Sequence, residues 1–191
     1  IEEVGVLRSI PNLAIVSPAD SLEVVKSLEA ALNYESSVYI RLTGGSQSPI
    51  VNSEDYKFEI GKAIKLTDGD DVTIFSCGAM VHNSLEAALI LKKNDISCRV
   101  VNMHTIKPVD VDSIKESAKF SKLIVTVEEH NIIGGLGSAI SEELTKIKDS
   151  PKLLRIGIND KYNKGGSYTY LQKIYELLPE QISNKIIKNL T

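Results

Sequence analysis

VEEHNIIGGLGSAISE, residues 127–142, decides how this chain is read. The run LIVTV just before it, residues 123–127, is β-branched and apolar, and reads as a strand buried on both faces. Two acids and a histidine follow, and then Gly134, Gly135 and Gly137 open a helix that starts near Leu136. Glycines at a strand-to-helix corner let backbone approach backbone where a Cβ would collide. The corner therefore predicts an α/β unit in which a strand hands over directly to a helix packed on its sheet.

The same alternation extends outward in both directions. Upstream lie a strand over 71–78, a helix over 81–93 carrying Leu85, Ala88, Leu89 and Leu91, a strand over 98–103 and a helix over 111–120. Downstream, the helix is expected to run to about Ile147, followed by a strand over 153–158 and helices over 168–178 and 179–190. Apolar strands separated by helices predict an α/β fold, a mostly parallel sheet with helices on both faces. The first residues form a separate βαβ fragment: strand 13–17, helix 21–32 with Asp20 or Ser21 as its cap, and strand 38–42. Such a fragment is too small to bury a core alone. The expected division is a unit over 1–45, a Gly/Ser/Pro/Asn-rich linker over 46–56 and a full domain over 57–191.

Composition narrows the function classes. Apolar residues make up 42% and charged residues 25% of the 191, a globular profile. A formal net charge of -3 supplies no basic surface for nucleic acid or anionic lipid, so neither is an expected partner. No apolar run is long enough to span a bilayer, and no secretory leader is recognisable. The two cysteines, Cys77 and Cys98, lie in or beside strands and read as reduced core residues of a cytoplasmic protein. The opening IEEVGVLRSIPN has no initiator Met and reads as a piece of something longer.

Five stretches, in order, resemble the transketolase family. VGVLRSIPNLAIVSPADSLEVVKSLEAAL (residues 4–32) and VYIRLTGG (38–45) are similar to the end of that family's pyrimidine-binding domain. FEIGKAIKLTDGDDVTIFSCGAMV (58–81), VVNMHTIKPVD (100–110) and the glycine corner are similar to its C-terminal domain. The nearest pattern is that of split or short transketolase-like proteins. 1-Deoxyxylulose-5-phosphate synthases carry a second Arg shortly after the one that matches Arg41, where this chain has Gly44 and Gly45. The β subunits of 2-oxo acid dehydrogenase E1 components share the architecture with weaker agreement.

The resemblance implies a thiamine diphosphate and Mg²⁺ enzyme that transfers a two-carbon ketol unit between sugar phosphates, built as a homodimer or with a subunit carrying the N-terminal half. The cofactor would supply the carbanion chemistry, the protein orientation and electrostatics. The family's catalytic Glu would precede Ile1, and Glu2 and Glu3 stand too close to the matched Pro to replace it. No catalytic, cofactor or metal residue is therefore assigned here, and the chain alone is expected to be inactive. Arg41 matches the residue that holds a sugar's phosphate, chemistry a guanidinium performs with two parallel hydrogen bonds; the alternative is an Arg at a strand end paired with an acid or lying in solvent. A non-catalytic assembly or ligand-binding module is the rival from another class.

Four further features have bland alternatives. The glycines of the corner miss the last small residue of a dinucleotide fingerprint, because Ile140 stands there, so tight helix–sheet packing is the expectation. Asp68, Gly69 and Asp70 imitate a metal-binding turn but precede a strand, and read as a polar turn. The family resemblance implies that Glu128, Glu129 and His130 lie near the domain's sheet edge and subunit contacts, and a structural or interface role is expected. His82, His104 and His130 are too dispersed for a ligand set. Gly165 and Gly166 read as a loop-to-helix turn.

Overall fold

A computed structural model of the chain describes residues 1–43, 49–52, 56–162 and 164–190. The first part comprises α1 (Glu3–Leu7), β1 (Leu13–Val16), α2 (Ser21–Leu32) and β2 (Ser37–Ile40). The remainder comprises β3 (Ile64–Thr67), β4 (Val72–Ser76), α3 (Met80–Lys92), β5 (Cys98–Asn102), β6 (Thr105–Lys107), α4 (Val111–Phe120), β7 (Leu123–Asn131), α5 (Leu136–Leu144), β8 (Lys152–Ile158), α6 (Tyr168–Ile174) and α7 (Pro179–Leu190).

A five-stranded sheet in the order β3-β5-β4-β7-β8 forms the centre. β4, β5, β7 and β8 are parallel, as the alternation predicts, and β3 adds an antiparallel edge that the pattern did not show. Side chains alternate across the sheet. Leu123, Val125 and Val127 of β7 join Val72, Ile74, Val100 and Ile156 in a core that also takes Met80, Leu91, Ile182 and Ile186 of α3 and α7. Ile124, Phe75 and Val101 face the other way, onto Ile114 of α4, Leu136 and Ile140 of α5, and Val4 and Ile15 from the first part of the chain. Both faces are thus covered by helices, as an almost wholly apolar parallel sheet requires.

β1, α2 and β2 form the expected parallel βαβ piece, but the piece does not stand alone. β6, three residues after Asn102 ends β5, pairs antiparallel with β1 and makes a second sheet, β2-β1-β6. The first part is therefore stitched by backbone hydrogen bonds to the rest. The short helix α1 was also not anticipated, because five residues are too few to show a period. Leu89, read from spacing as a core position of α3, is 55% exposed, whereas Leu91 is fully buried. Most of the expected linker over 46–56 lies outside the described residues; of the rest, Val51 donates its N–H to Asp20 and Tyr56 its hydroxyl to Glu23.

Candidate functional site

The glycine corner is a packed joint, and its acceptor is the chain's own. Strand β7 runs on past Val127 to Asn131, so Glu128 and His130 point to the face that carries α5. Glu128 is 1% exposed, and its two carboxylate oxygens accept the N–H groups of Leu136 (2.7 Å) and Gly137 (2.8 Å). The N-terminus of α5, where a nucleotide phosphate would sit, is already filled by a carboxyl group from the neighbouring strand. A Cβ at Gly135 would meet the Glu128 carboxylate at 1.9 Å, and one at Gly137 would meet Thr126 Oγ1 at 2.8 Å. Packing, not nucleotide binding, explains the glycines. Burial pushes the Glu128 carboxyl up to about 7, against the two hydrogen bonds that favour its charged form.

The Glu-Glu-His run lies on β7, one strand in from the sheet edge that β8 forms. Glu128 and His130 share one face, with His130 Nδ1 3.8 Å from Glu128 Oε2, and Glu129 points to the other. Glu129 accepts the hydroxyl of Tyr168 on α6 (2.8 Å). His130 is 3% exposed; its Nδ1 lies 2.7 Å from the Asn131 carbonyl oxygen, and its Nε2 is buried without a partner among the described residues. Burial lowers its pKa, so it is neutral. His104 is also fully buried, stacked on Phe58 with ring centroids 4.0 Å apart, and burial pulls its pKa down to about 3.

Arg41 follows β2 and reaches the same region. Its Nε donates to Glu3 Oε1 (2.5 Å) and its Nη2 to the Glu129 carbonyl oxygen (2.9 Å), leaving the side chain 14% exposed. Burial works against ionised Glu3, yet hydrogen bonds from the amino terminus and from Arg41 hold its carboxyl well below the usual range, at about 2. Both members of the pair are therefore charged at neutral pH. Gly44 and Gly45, which follow in the motif, lie outside the described residues.

The second junction has Glu23, in the first turn of α2, at its centre. Asp20 caps α2 by accepting the Glu23 N–H (2.9 Å), and Glu23 reaches back to the Ala19 N–H (2.7 Å), a reciprocal cap. The same 1%-exposed carboxylate accepts from Tyr56 (2.8 Å) and from Asn102 at the end of β5 (2.8 Å). The spacing of Asp20 and Glu23 signals a cap; the other two donors to Glu23, Tyr56 and Asn102, come from distant segments and leave no local trace.

The remaining candidates resolve simply. Asp68–Asp70 forms a turn in which Asp68 pairs with Lys65 (2.5 Å) and a Cβ at Gly69 would meet the Cys98 backbone at 2.4 Å. Gly165 and Gly166 lie in irregular backbone just before α6. Among the described residues no group of three His, Cys, Asp or Glu side chains is placed to hold a metal, and no helix is long and apolar enough to cross a membrane. Cys77 and Cys98 are buried free thiols.

The comparisons agree with this architecture. The family profile "Transketolase, C-terminal domain" matches residues 61–182. The chain is 40% identical over 190 residues to a Methanocaldococcus jannaschii protein named "Putative transketolase C-terminal section", covering 99% of this chain and 59% of that protein. It is 37% identical over 186 residues to the 1-deoxy-D-xylulose-5-phosphate synthase of Caldanaerobacter subterraneus, covering 97% of this chain and 30% of that one. A solved structure described as a split gene transketolase, inactive β4 tetramer, superposes on 100% of this chain and 61% of its own with a TM-score of 0.92 at 37% identity. The chain spans between 51% and 59% of the length of three of the curated relatives it matches. A profile matched over most of its length, and a fold shared from end to end, place this chain in the transketolase family.

Proposed function

We propose that this chain is the C-terminal part of a thiamine-diphosphate- and Mg²⁺-dependent enzyme that moves a two-carbon ketol unit between sugar phosphates in the cytoplasm. The end-to-end superposition on a split-gene transketolase carries this reading. Residues 1–45 are the closing piece of the pyrimidine-binding domain, 46–56 its linker and 57–191 the C-terminal domain. The exposed surface supports that division. Eight of the fourteen exposed large apolar side chains among the described residues fall within the first 50, four of them on α2: Leu22, Val25, Leu28 and Leu32. A helix that turns its leucines outward and its Glu23 and Ser27 inward presents a face made for a further layer.

The described residues do not suit the cofactor by themselves, since none are grouped to hold its metal. The diphosphate domain and the catalytic acid belong to the rest of the enzyme, on the same polypeptide or on a partner subunit, and the assembly is a dimer of such units. The chain alone is inactive; the solved relative, a β-only tetramer, is itself described as inactive. Within this chain Arg41 holds the substrate phosphate, with Glu3 and the Glu129 carbonyl fixing the guanidinium plane.

The test is an assay of the whole enzyme with a ketose phosphate donor and an aldose phosphate acceptor, beside pyruvate with the same acceptor. Ketol transfer supports the reading. Turnover with pyruvate alone moves the assignment to the synthase type, which the similarity to 1-deoxy-D-xylulose-5-phosphate synthase favours as runner-up. A 2-oxo acid dehydrogenase would instead need a lipoyl acceptor.

A further inference from the structure

Glu129 is tied at both ends. Its carbonyl oxygen accepts from Arg41 Nη2 (2.9 Å), and its carboxylate accepts the hydroxyl of Tyr168 (2.8 Å). Two donors from distant elements, one just past β2 and one at the start of α6, thus converge on a single residue of β7. Arg41 donates a second N–H, from Nε, to Glu3. A guanidinium has five N–H donors, so three are left without an acceptor among the described residues. These are the groups with which Arg41 can hold a ligand.

The Glu129 carboxylate is the nearest competitor for them. It is a half-buried acid beside a cation, and a guanidinium with free N–H groups pairs strongly with a carboxylate. Burial raises its pKa, while the Tyr168 hydrogen bond, the charge of Arg41 and, less, that of the amino terminus favour its ionised form. The amino group of Ile1 already pairs with Glu3 (2.7 Å) and Glu2 (3.3 Å). Arg41 is therefore the partner toward which a released Glu129 carboxylate turns.

The residue that restrains it contributes little else. α6 has seven residues, none of them buried, and its N-cap Ser167 makes no side-chain cap. The Tyr168 side chain is 38% exposed, so its packing adds little. Its hydroxyl, which Gln172 one turn on also hydrogen-bonds, is the one group of α6 bonded to β7 among the described residues.

We propose that Tyr168 is a positioning residue for Arg41: by holding the Glu129 carboxylate on its hydroxyl, it keeps the outer N–H groups of the guanidinium open to an anionic ligand. This role rests on the reading of Arg41 as the phosphate holder and gives α6 a part in it. A phenylalanine at 168 fills the same space but releases the carboxylate, which then closes on Arg41 as an internal ion pair and blocks it.

The Nε–Hε resonance of Arg41 in the 191-residue chain reads this without substrate. It is followed in Tyr168→Phe, in Glu129→Gln and in the double variant, with thermal midpoints checked for folding. Tyr168→Phe is expected to shift it and the double variant to return it close to the native position, where Glu129→Gln alone also leaves it. A resonance that Tyr168→Phe does not move, or a shift that persists without the carboxylate, overturns the role, because lost packing is not repaired by Glu129→Gln. In the whole enzyme, Tyr168→Phe should raise the KM for a ketose phosphate about ten-fold, equal to ~1.4 kcal/mol. The kcat, and the KM for the unphosphorylated ketose, should stay as they are, and the double variant should restore the first KM. A rise that the double variant does not restore also overturns the role. The expected resonance shifts with no change in KM keep Tyr168 as the residue that positions Arg41 and remove the phosphate reading of Arg41.

Discussion

Gly134 of the glycine corner lies against Gly5 of α1, so closely that a Cβ on Gly134 would stand 2.7 Å from the Gly5 Cα. Arg8, one residue past α1, closes the same contact by donating to the Gly134 carbonyl oxygen (3.1 Å) and to Glu142 (2.6 Å). Two motifs more than a hundred residues apart, the Leu-Arg stretch and the glycine corner, are therefore one joint. Gly134→Ala adds an overlap with backbone that has no room to move, at a φ of +79° that disfavours any side chain. A loss of about 2–4 kcal/mol is expected in the urea-unfolding free energy. Gly5→Ala, whose Cβ would be 3.2 Å from the Ile133 carbonyl oxygen, should lose less.

Glu128→Ala leaves the Leu136 and Gly137 N–H groups without their acceptor inside the protein. Roughly 2–4 kcal/mol of stability should go with them, the penalty for buried donors left unpaired. The helix content at residues 136–144 is the readout, by amide exchange.

Stability should also depend on pH through this residue. Its folded pKa, about 7, lies above the ordinary 4.5, so its contribution is complete below about 4.5 and is lost as pH rises through 7. The difference in unfolding free energy between the native chain and Glu128→Gln should therefore shrink from pH 4.5 to pH 8. A difference that stays flat across that window would show the carboxyl titrating alike in both states.

Glu23→Ala removes one acceptor from three donors: Ala19, Tyr56 and Asn102. These belong to the first part of the chain, the linker and β5, so the loss of about 3 kcal/mol should appear as weaker attachment of the first part. Limited proteolysis near residues 43–56 should quicken, while the core of the five-stranded sheet keeps its exchange protection.

Leu28 is 52% exposed on α2 and tests whether that face is covered in a longer protein. A thiol placed by Leu28→Cys should react with maleimide at least about ten-fold more slowly in the full-length enzyme than in the 191-residue chain. Leu89→Cys, on α3 and 55% exposed, serves as the control and should react alike in both. Equal rates at Leu28 would mean that α2 faces water in the whole protein.

Apolar runs, helical spacing and a cap residue were enough for the α/β alternation, the helix over Ser21–Leu32 and the strand cores of β4, β5 and β8, because these are local properties that the sheet merely uses. The choice of packing over nucleotide binding at residues 134–137 also followed locally, from Ile140 in place of a small residue. What fills the N-terminus of α5 did not: Glu128 becomes its cap only when β7 runs beside α5, which turns an acid in a strand into the acceptor of a helix. Nor did the fate of Arg41, since Glu3 and the Glu129 carbonyl reach it across 38 and 88 residues of sequence. β6 pairing with β1, Glu23 joining Asn102, and Gly5 meeting Gly134 are likewise products of the third dimension. The sequence by itself determined the alternating strands and helices of the parallel sheet and of the βαβ piece; β3, β6 and α1, and which buried polar atom meets which, were decided only by the tertiary structure, because those partners are chosen by proximity in space and leave no period along the chain.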